Sequence, residues 1–248
     1  NRANQAGNPL QEYVKDLFSN SFELSEKERI EKHSEVFSYL GNNSNPPDVM
    51  LKNGDAIEVK KIESNNSALA LNSSYPKAKL FADSPMISKA CREAENWQEK
   101  DIIYIVGVVN EMNIQHLAMV YGEDYCAEEE CYLRIKSKIK QGVERIQGVE
   151  FSETKELGRV NKIDPLGISY MRVRGMWGIE YPWSVFKYIY QRDSEKSFNF
   201  MALINENKWN SFENKDEIVS LQNENLKIID VKIKDTNNPA KLKNEKLI

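Results

Sequence analysis

Pro46-Pro47-Asp48-Val49-Met50-Leu51-Lys52-Asn53-Gly54-Asp55-Ala56-Ile57-Glu58-Val59-Lys60-Lys61 is the stretch whose reading decides the fold. Two prolines end a polar loop of Asn42, Asn43, Ser44 and Asn45. A short apolar run follows, then Asn53-Gly54, a strong hairpin signal. A second run, Ala56 to Ile62, alternates apolar and polar residues. The stretch predicts a β-hairpin.

Two registers are open. A two-residue loop at Asn53-Gly54 pairs Val49 with Glu58 and turns Asp48 to the opposite face from Glu58 and Lys60, because side chains alternate along a strand. A three-residue loop, Lys52-Asn53-Gly54, pairs Leu51 with Asp55 and Asp48 with Glu58, with Gly54 expected in the left-handed position. The second register puts Val49, Leu51, Ile57 and Val59 on one uniformly apolar face. Asp48, Met50, Ala56, Glu58 and Lys60 share the other. The uniform face favours this register, which leaves two carboxylates and an ammonium on one half-buried sheet surface.

Two carboxylates that close repel unless a cation lies between them. Mg²⁺ is held by one or two carboxylates, with waters and substrate phosphate completing its shell. Lys60 lands on the same face, where it can act on a water or stabilise phosphate charge. Such a set suits phosphodiester hydrolysis. The spacing also fits an ordinary hairpin with a surface Asp–Lys pair and a solvated Glu, and Glu-x-Lys by itself favours that reading. The Pro-Asp start, the odd loop and the apolar back face shift the balance toward a site.

Pro47-Asp48 followed by Glu58-Val59-Lys60 resembles the PD-(D/E)xK nuclease motif, a degenerate pattern. Longer blocks are more specific. Asn45-Pro46-Pro47-Asp48, Gly54-Asp55-Ala56-Ile57-Glu58-Val59-Lys60-Lys61, Ser73-Ser74-Tyr75-Pro76-Lys77 and Arg172-Val173-Arg174-Gly175-Met176-Trp177-Gly178 resemble the NgoPII family of type II restriction endonucleases. The similarity runs from about Asn1 to about Ala202. It implies a restriction-endonuclease-like fold, Mg²⁺-dependent cleavage of double-stranded DNA at a short palindromic GC-rich site, GGCC, and a homodimer in the cytoplasm as part of a restriction–modification system. It implies Asp48 and Glu58 as metal ligands and Lys60 as the catalytic partner of the attacking water. Nucleases of this class often carry a glutamate near the metal on a helix before the hairpin. Glu12 is the candidate here for a catalytic role, either holding the metal's own ligands in place or binding a second metal. An exposed first-turn carboxylate favoured by the helix dipole is the other reading.

The wider composition agrees with a soluble enzyme. The chain has 248 residues, 40% apolar and 29% charged, enough for a substantial core. No run approaches the roughly 18 apolar residues of a membrane span, and no signal-peptide pattern is present. The chain begins at Asn1 without a methionine, so some native N-terminus is expected to be missing. Cys91, Cys126 and Cys131 form no metal-ligand pattern and fit buried thiols in a reducing compartment. The two histidines, His33 and His116, read as surface or core residues, which disfavours Ser-His-Asp and Cys-His chemistry. A net charge of −4 counts against a non-specific nucleic-acid coat, but leaves room for basic residues lining a cleft.

Along the chain, Pro9 to Phe18 predicts an amphipathic helix with Asn8 as N-cap and an apolar face of Leu10, Tyr13, Val14 and Leu17. Ser25 to Leu40 predicts a second helix, opened by a Ser25/Glu28 capping box. Ser64 to Ser74 reads as irregular. Asn72, Ser73, Ser74, Lys77 and Lys79 sit in a loop whose mixture suits phosphates and base edges, or simple solvation in equal measure. Ser88 to Trp97 reads as a helix. Asp101 to Val109 is a central strand covered on both faces, with Ile114 to Tyr121 beside it after a turn at Glu111-Met112-Asn113. Glu128 to Gln141 reads as a helix stopped by Gly142. Ile168 to Arg174 alternates as a strand with Arg172 and Arg174 on one face, either solvated or touching DNA, where an arginine can bind guanine bidentately. Pro182 to Tyr190 reads as a helix and Phe198 to Ile204 as a last strand.

The order predicts an α/β fold with a mixed central β-sheet flanked by helices. Residues 1–204 form the nuclease domain containing the hairpin 46–62, and 205–248 a C-terminal extension, with Lys234 to Lys246 mobile. A type II restriction endonuclease is the first reading. A repair or structure-specific nuclease with the same site, or a DNA-binding protein without chemistry on the same fold, are the alternatives.

Overall fold

The computed structural model describes residues 9–42, 45–110 and 113–248. The expected cap Asn8, the loop residues Asn43 and Ser44, and Glu111 with Met112 of the expected turn lie outside them. In chain order the elements are α1 (Pro9–Ser19), α2 (Glu26–Val36), β1 (Phe37–Asn42), β2 (Asn45–Leu51), β3 (Ala56–Ile62), β4 (Leu69–Asn72), β5 (Lys79–Phe81), α3 (Lys89–Arg92), β6 (Glu99–Asn110) and β7 (Asn113–Tyr121). There follow α4 (Gly122–Tyr125), α5 (Glu129–Glu144), β8 (Gly158–Asn161), β9 (Tyr170–Val173), β10 (Trp177–Ile179), α6 (Pro182–Val185), β11 (Asn199–Asn205), α7 (Glu206–Ser211), α8 (Lys215–Ser220), β12 (Ile229–Lys234) and β13 (Leu242–Leu247).

A mixed sheet in the order β1-β2-β3-β6-β7-β11-β13-β12 organises the chain, with β5 added against β6. The pairs β3–β6 and β7–β11 are parallel, and the other adjacent pairs are antiparallel. The run from Ile102 to Val108 is apolar throughout because β6 is covered on both faces. Ile103 and Ile105 join the core under α1, while Ile102, Tyr104, Val106 and Val108 join the core on the other side. Leu10 of α1 presses onto Gly107 of β6: a Cβ there would fall 2.7 Å from a Leu10 methyl. The glycine thus lets helix and central strand approach.

The hairpin adopts the odd register. Val49 pairs with Ile57 and Met50 with Ala56, and the Leu51 N–H donates to the Asp55 carbonyl at 3.0 Å. The same register sets Asp48 opposite Glu58. Val49, Ile57 and Val59 enter the core beneath α1, and Met50, Ala56 and Ile62 enter the opposite core. One detail differs from expectation. Asn53, not Gly54, takes the left-handed conformation, with φ of 53°. Asparagine tolerates that region, and Gly54 closes the turn by donating its N–H to Leu51 O at 3.1 Å.

Other boundaries move for identifiable reasons. The Ser25 capping box forms as read, but α2 ends at Val36 and the chain turns into β1, where pairing with β2 replaces helical hydrogen bonds. Helix α5 runs through Gly142 to Glu144, because nothing crowds that glycine and no left-handed turn forms there. The regions expected as longer helices after Ser88 and Pro182 hold only the short α3 and α6. The apolar insert in the supposedly irregular 64–74 stretch becomes β4, paired with β10. The largest difference is at the C-terminus. Phe198–Ile204 is not the last strand: β13, inside the expected mobile tail, pairs with both β11 and β12. Lys, Asn and Glu dominate β13, yet Glu245 and Leu247 turn inward and are 2% and 6% exposed. Among the described residues no helix is long and apolar enough to cross a membrane.

Leu247→Ala tests the docked C-terminus. Emptying that core position should cost about 2–5 kcal/mol, read as a lower urea midpoint at unchanged slope. A freely moving tail would leave the midpoint where it was.

Candidate active site

Alternation along β2 and β3 carries Asp48, Glu58 and Lys60 to the same face of the sheet. They open into a cleft of about 550 Å³, which Asn72, Ser73, Ser74 and Arg174 also line. The second wall is tied to the first by the β4–β10 pair, in which Trp177 lies opposite Asn72. Tyr75 anchors it further. Its ring stacks on Tyr132 and meets Trp177 edge-on, at centroid distances of 5.9 and 6.1 Å, and its hydroxyl donates to Glu129.

The three hairpin groups are tightly engaged. Asp48 Oδ2 accepts the Val59 N–H at 2.7 Å. Lys60 Nζ donates to Glu58 Oε1 at 2.6 Å. Glu58 Oε2 is buried and has no hydrogen-bond partner. Burial, and then the charge of Glu58, push the Asp48 carboxyl up to about 7. Burial alone would lower Lys60, but Glu58 and Asp48 outweigh it and raise it.

Such a pair fits a hard divalent ion. An orphaned carboxylate oxygen and a second carboxyl held against its neighbour's charge both gain from a cation between them. Among the described residues no three His, Cys, Asp or Glu converge on one metal position. Two protein carboxylates, completed by water and phosphate, are what Mg²⁺ ordinarily accepts.

The other candidate residues are dispersed. Glu12 lies on α1, over the opposite face of the sheet, where its carboxylate is held by Lys15 and Arg29. Arg172 and Arg174 do share a face: both reach Glu156, at 2.8 Å from Arg172 Nε and 3.0 Å from Arg174 Nε. Arg174 Nη2 also donates to Ser73 Oγ at 3.1 Å and enters the cleft, whereas Arg172 is not among its lining residues. Lys79 faces a separate cavity among Glu99, Asp101 and Glu123. Lys77 is buried.

Sequence reading missed several neighbours. Glu156 clamps the two arginines, Glu129 anchors Tyr75, and Met86 and Met176 complete the cleft wall. No local spacing marks Glu156, Glu129 or Met86, because each arrives from a distant segment; Met176 follows Arg174 by two residues and carries no chemical signal of its own. His33 is buried against Asp16, with Nε2 3.0 Å from the carboxylate. His116 stacks on Trp183 at 4.0 Å, and burial pulls it down to about 4. Both fit the expected core role. Cys91 and Cys126 are buried and Cys131 is exposed, and none forms a disulfide.

A mixed α/β sheet that presents two carboxylates and a lysine from adjacent strands into one cleft defines a nuclease of the restriction-endonuclease class. The NgoPII restriction endonuclease family model matches residues 1–234. A type II restriction enzyme, NgoPII from Neisseria gonorrhoeae, is 69% identical over 249 residues, covering 100% of this chain and 90% of its own. No solved structure matches the chain. The chain belongs to the NgoPII restriction endonuclease family.

The Asp48 shift has a testable sign. Between about pH 4 and 7 the folded state keeps a proton on Asp48 that the unfolded state has lost. The contribution of this group therefore falls as pH rises through that window and is lowest above it. Asp48→Asn is neutral throughout and keeps an acceptor for the Val59 N–H. Its melting temperature in EDTA should exceed wild type clearly at pH 8 and only slightly at pH 5. A gap independent of pH would overturn the assignment of strain to this carboxyl.

Proposed function

We propose that the chain is a Mg²⁺-dependent type II restriction endonuclease that hydrolyses double-stranded DNA at a short palindromic site, GGCC. Asp48 and Glu58 hold the metal ion. The observation that carries this reading is the buried Asp48–Glu58 pair, one oxygen of which has no partner. A bound ion supplies Lewis-acid activation of the phosphoryl oxygen and a more acidic coordinated water. Lys60, fixed by its hydrogen bond to Glu58, orients the attacking water or offsets charge on the scissile phosphate. The Val59 N–H holds Asp48 in register with its partner. Glu12 contributes indirectly, through Lys15, whose charge reaches Asp48.

Recognition falls to the opposite wall. Arg174 is the best-placed base reader, with Asn72, Ser73 and Ser74 beside it. Arg172 serves a phosphate from the flank. The family membership and the 69% identical relative support the restriction activity, and the target follows the family resemblance. A two-fold symmetric target is most simply read by a two-fold symmetric dimer. Such an enzyme works in the cytoplasm, on incoming DNA.

A digest of DNA of known sequence tests the reading. Discrete fragments ending at GGCC, appearing only with divalent metal, are expected. A smear, or cutting at structural defects alone, would point to a repair or non-specific nuclease, and no cutting to a binding protein. Asp48→Ala or Glu58→Ala should abolish cleavage while specific binding in Ca²⁺ survives or tightens. Near-normal turnover in either would remove that residue from the metal pair.

Arg172 and Arg174 separate by competition binding in Ca²⁺ at two salt concentrations. Losing a bidentate guanine contact worth roughly 1–3 kcal/mol should weaken specific binding by about ten- to a hundredfold for Arg174→Ala, with little change in non-specific affinity. Arg172→Ala should weaken both alike and lower the salt slope by about one. If both variants keep the wild-type ratio of specific to non-specific affinity, neither arginine reads a base.

A further inference from the structure

Lys77 carries a charge that neither solvent nor a hydrogen bond satisfies. The residue is 7% exposed, and its Nζ is buried without a hydrogen-bond partner. The Tyr75 ring lies beneath it, 4.4 Å from Nζ to the centroid. Burial pulls the Lys77 amine below the ordinary lysine value, and the charges of Glu58 and then Glu129 work against it by favouring the ammonium. Glu58 Oε2 is the other orphaned polar atom nearby. Glu58 and Lys77 line one small void of about 20 Å³, between Tyr75 and Tyr104 under the floor of the cleft. A void of that size admits about one water, and here it would have an ammonium on one side and a carboxylate oxygen on the other.

The surrounding structure keeps Lys77 there. Its backbone N–H donates to the Tyr104 hydroxyl at 2.8 Å. Behind it, a Cβ on Gly122 would fall 2.4 Å from the Lys77 carbonyl oxygen and 2.5 Å from that of Ala78. The strand-to-helix junction at Gly122 is therefore pressed against the Lys77 backbone. Both contacts fix the backbone at residue 77, which starts its side chain inward, beneath the cleft. A buried, unpaired ammonium is costly, so its retention beside the metal pair asks for a role there.

We infer that Lys77 is a positioning residue that acts through Glu58: from beneath the cleft it holds that carboxylate in place before the divalent ion arrives, and it is the ion's built-in competitor for the carboxylate charge. The inference rests on the reading of Asp48 and Glu58 as the metal pair. It differs from a DNA-contacting role for Lys77, because the ammonium never meets the polyanion.

Lys77→Met keeps the length of the side chain and removes the charge, so the protein should fold and melt no lower than wild type. Lys77→Gln, which can hydrogen-bond inside the void, is the second variant should methionine disturb the fold. Three measurements apply to each full-chain protein: Mn²⁺ binding by calorimetry without DNA, turnover against Mg²⁺ concentration, and the salt slope of duplex binding in Ca²⁺. With the competitor gone, Mn²⁺ affinity should rise by at least about threefold and half-saturating Mg²⁺ should fall in step. Turnover at saturating metal should drop by about ten- to a hundredfold, the scale of a small misplacement of a reacting group. The salt slope should not change. A slope reduced by about one would mean a phosphate contact and overturn the inference. Unchanged metal affinity, with or without a loss of turnover, would overturn it too, by reducing Lys77 to a structural part. Wild-type cleavage without any divalent ion would remove the metal reading itself, a failure visible before any variant is made.

Discussion

The constraint on which the site depends is the forced meeting of Asp48 and Glu58. Two carboxylates facing each other on a half-buried sheet would separate if the chain let them. It does not, because the register that joins them also buries Val49, Ile57 and Val59 beneath α1, and Met50 and Ala56 on the other side. A slip of one residue would send every one of these side chains to the wrong face. The apolar residues hold the register, and the register holds the repulsion. Asp48, pushed up to about 7, records the stored cost. In the proposed function a bound cation would recover that cost, so stability of the metal-free fold would be traded for a pre-formed site.

Much of this was legible locally. Uniformity of one hairpin face decides between two loop lengths with no tertiary information, and it correctly sets Asp48 opposite Glu58. The central strand was legible because seven residues from Ile102 to Val108 carry no charge and are rich in β-branched side chains. What failed depended on partners remote in sequence. Strand β13 reads as polar tail because only Glu245 and Leu247 turn inward, and its strand state comes from the edge that β11 offers. Likewise β4 has only four residues, too short to declare itself without β10. The loop after β4 looked like an exposed run of polar and basic groups. Nothing in its composition says that Lys77 turns inward while Ser73 and Ser74 face the cleft. Pairwise contacts across more than fifty residues, such as Tyr75 with Glu129, decide that.

A net charge of −4 runs against gripping DNA, and charge pairing resolves the conflict. Nearly every basic group around the cleft already has an acidic partner: Lys60 has Glu58, and Arg172 and Arg174 share Glu156. Hydrogen bonding from Arg172 first, and then the nearby guanidinium charges, lower the Glu156 carboxyl. Without DNA the two arginines therefore hold one geometry rather than repelling each other into solvent.

The Arg172 and Arg174 pairs with Glu156 are solvent-exposed, and exposed ion pairs contribute little. Exchanging Glu156 for a phosphate or a guanine edge consequently costs little, whereas an arginine left to find its geometry on binding would forfeit side-chain entropy. Under the proposed reading, an incorrect base pair would offer no bidentate acceptor, and the guanidinium would stay with Glu156. In that reading the acidic clamp would act as a competitor that only a matching partner displaces, so discrimination would grow from the difference between two acceptors rather than from attraction alone. The proposed metal pair obeys the same logic from the opposite sign, with Lys60 on one oxygen of Glu58 and Lys77 facing the void beneath it. On both walls of the cleft the free protein supplies its own counter-charges, so in the proposed function binding of ion and DNA would be an exchange of partners within a geometry that is already built.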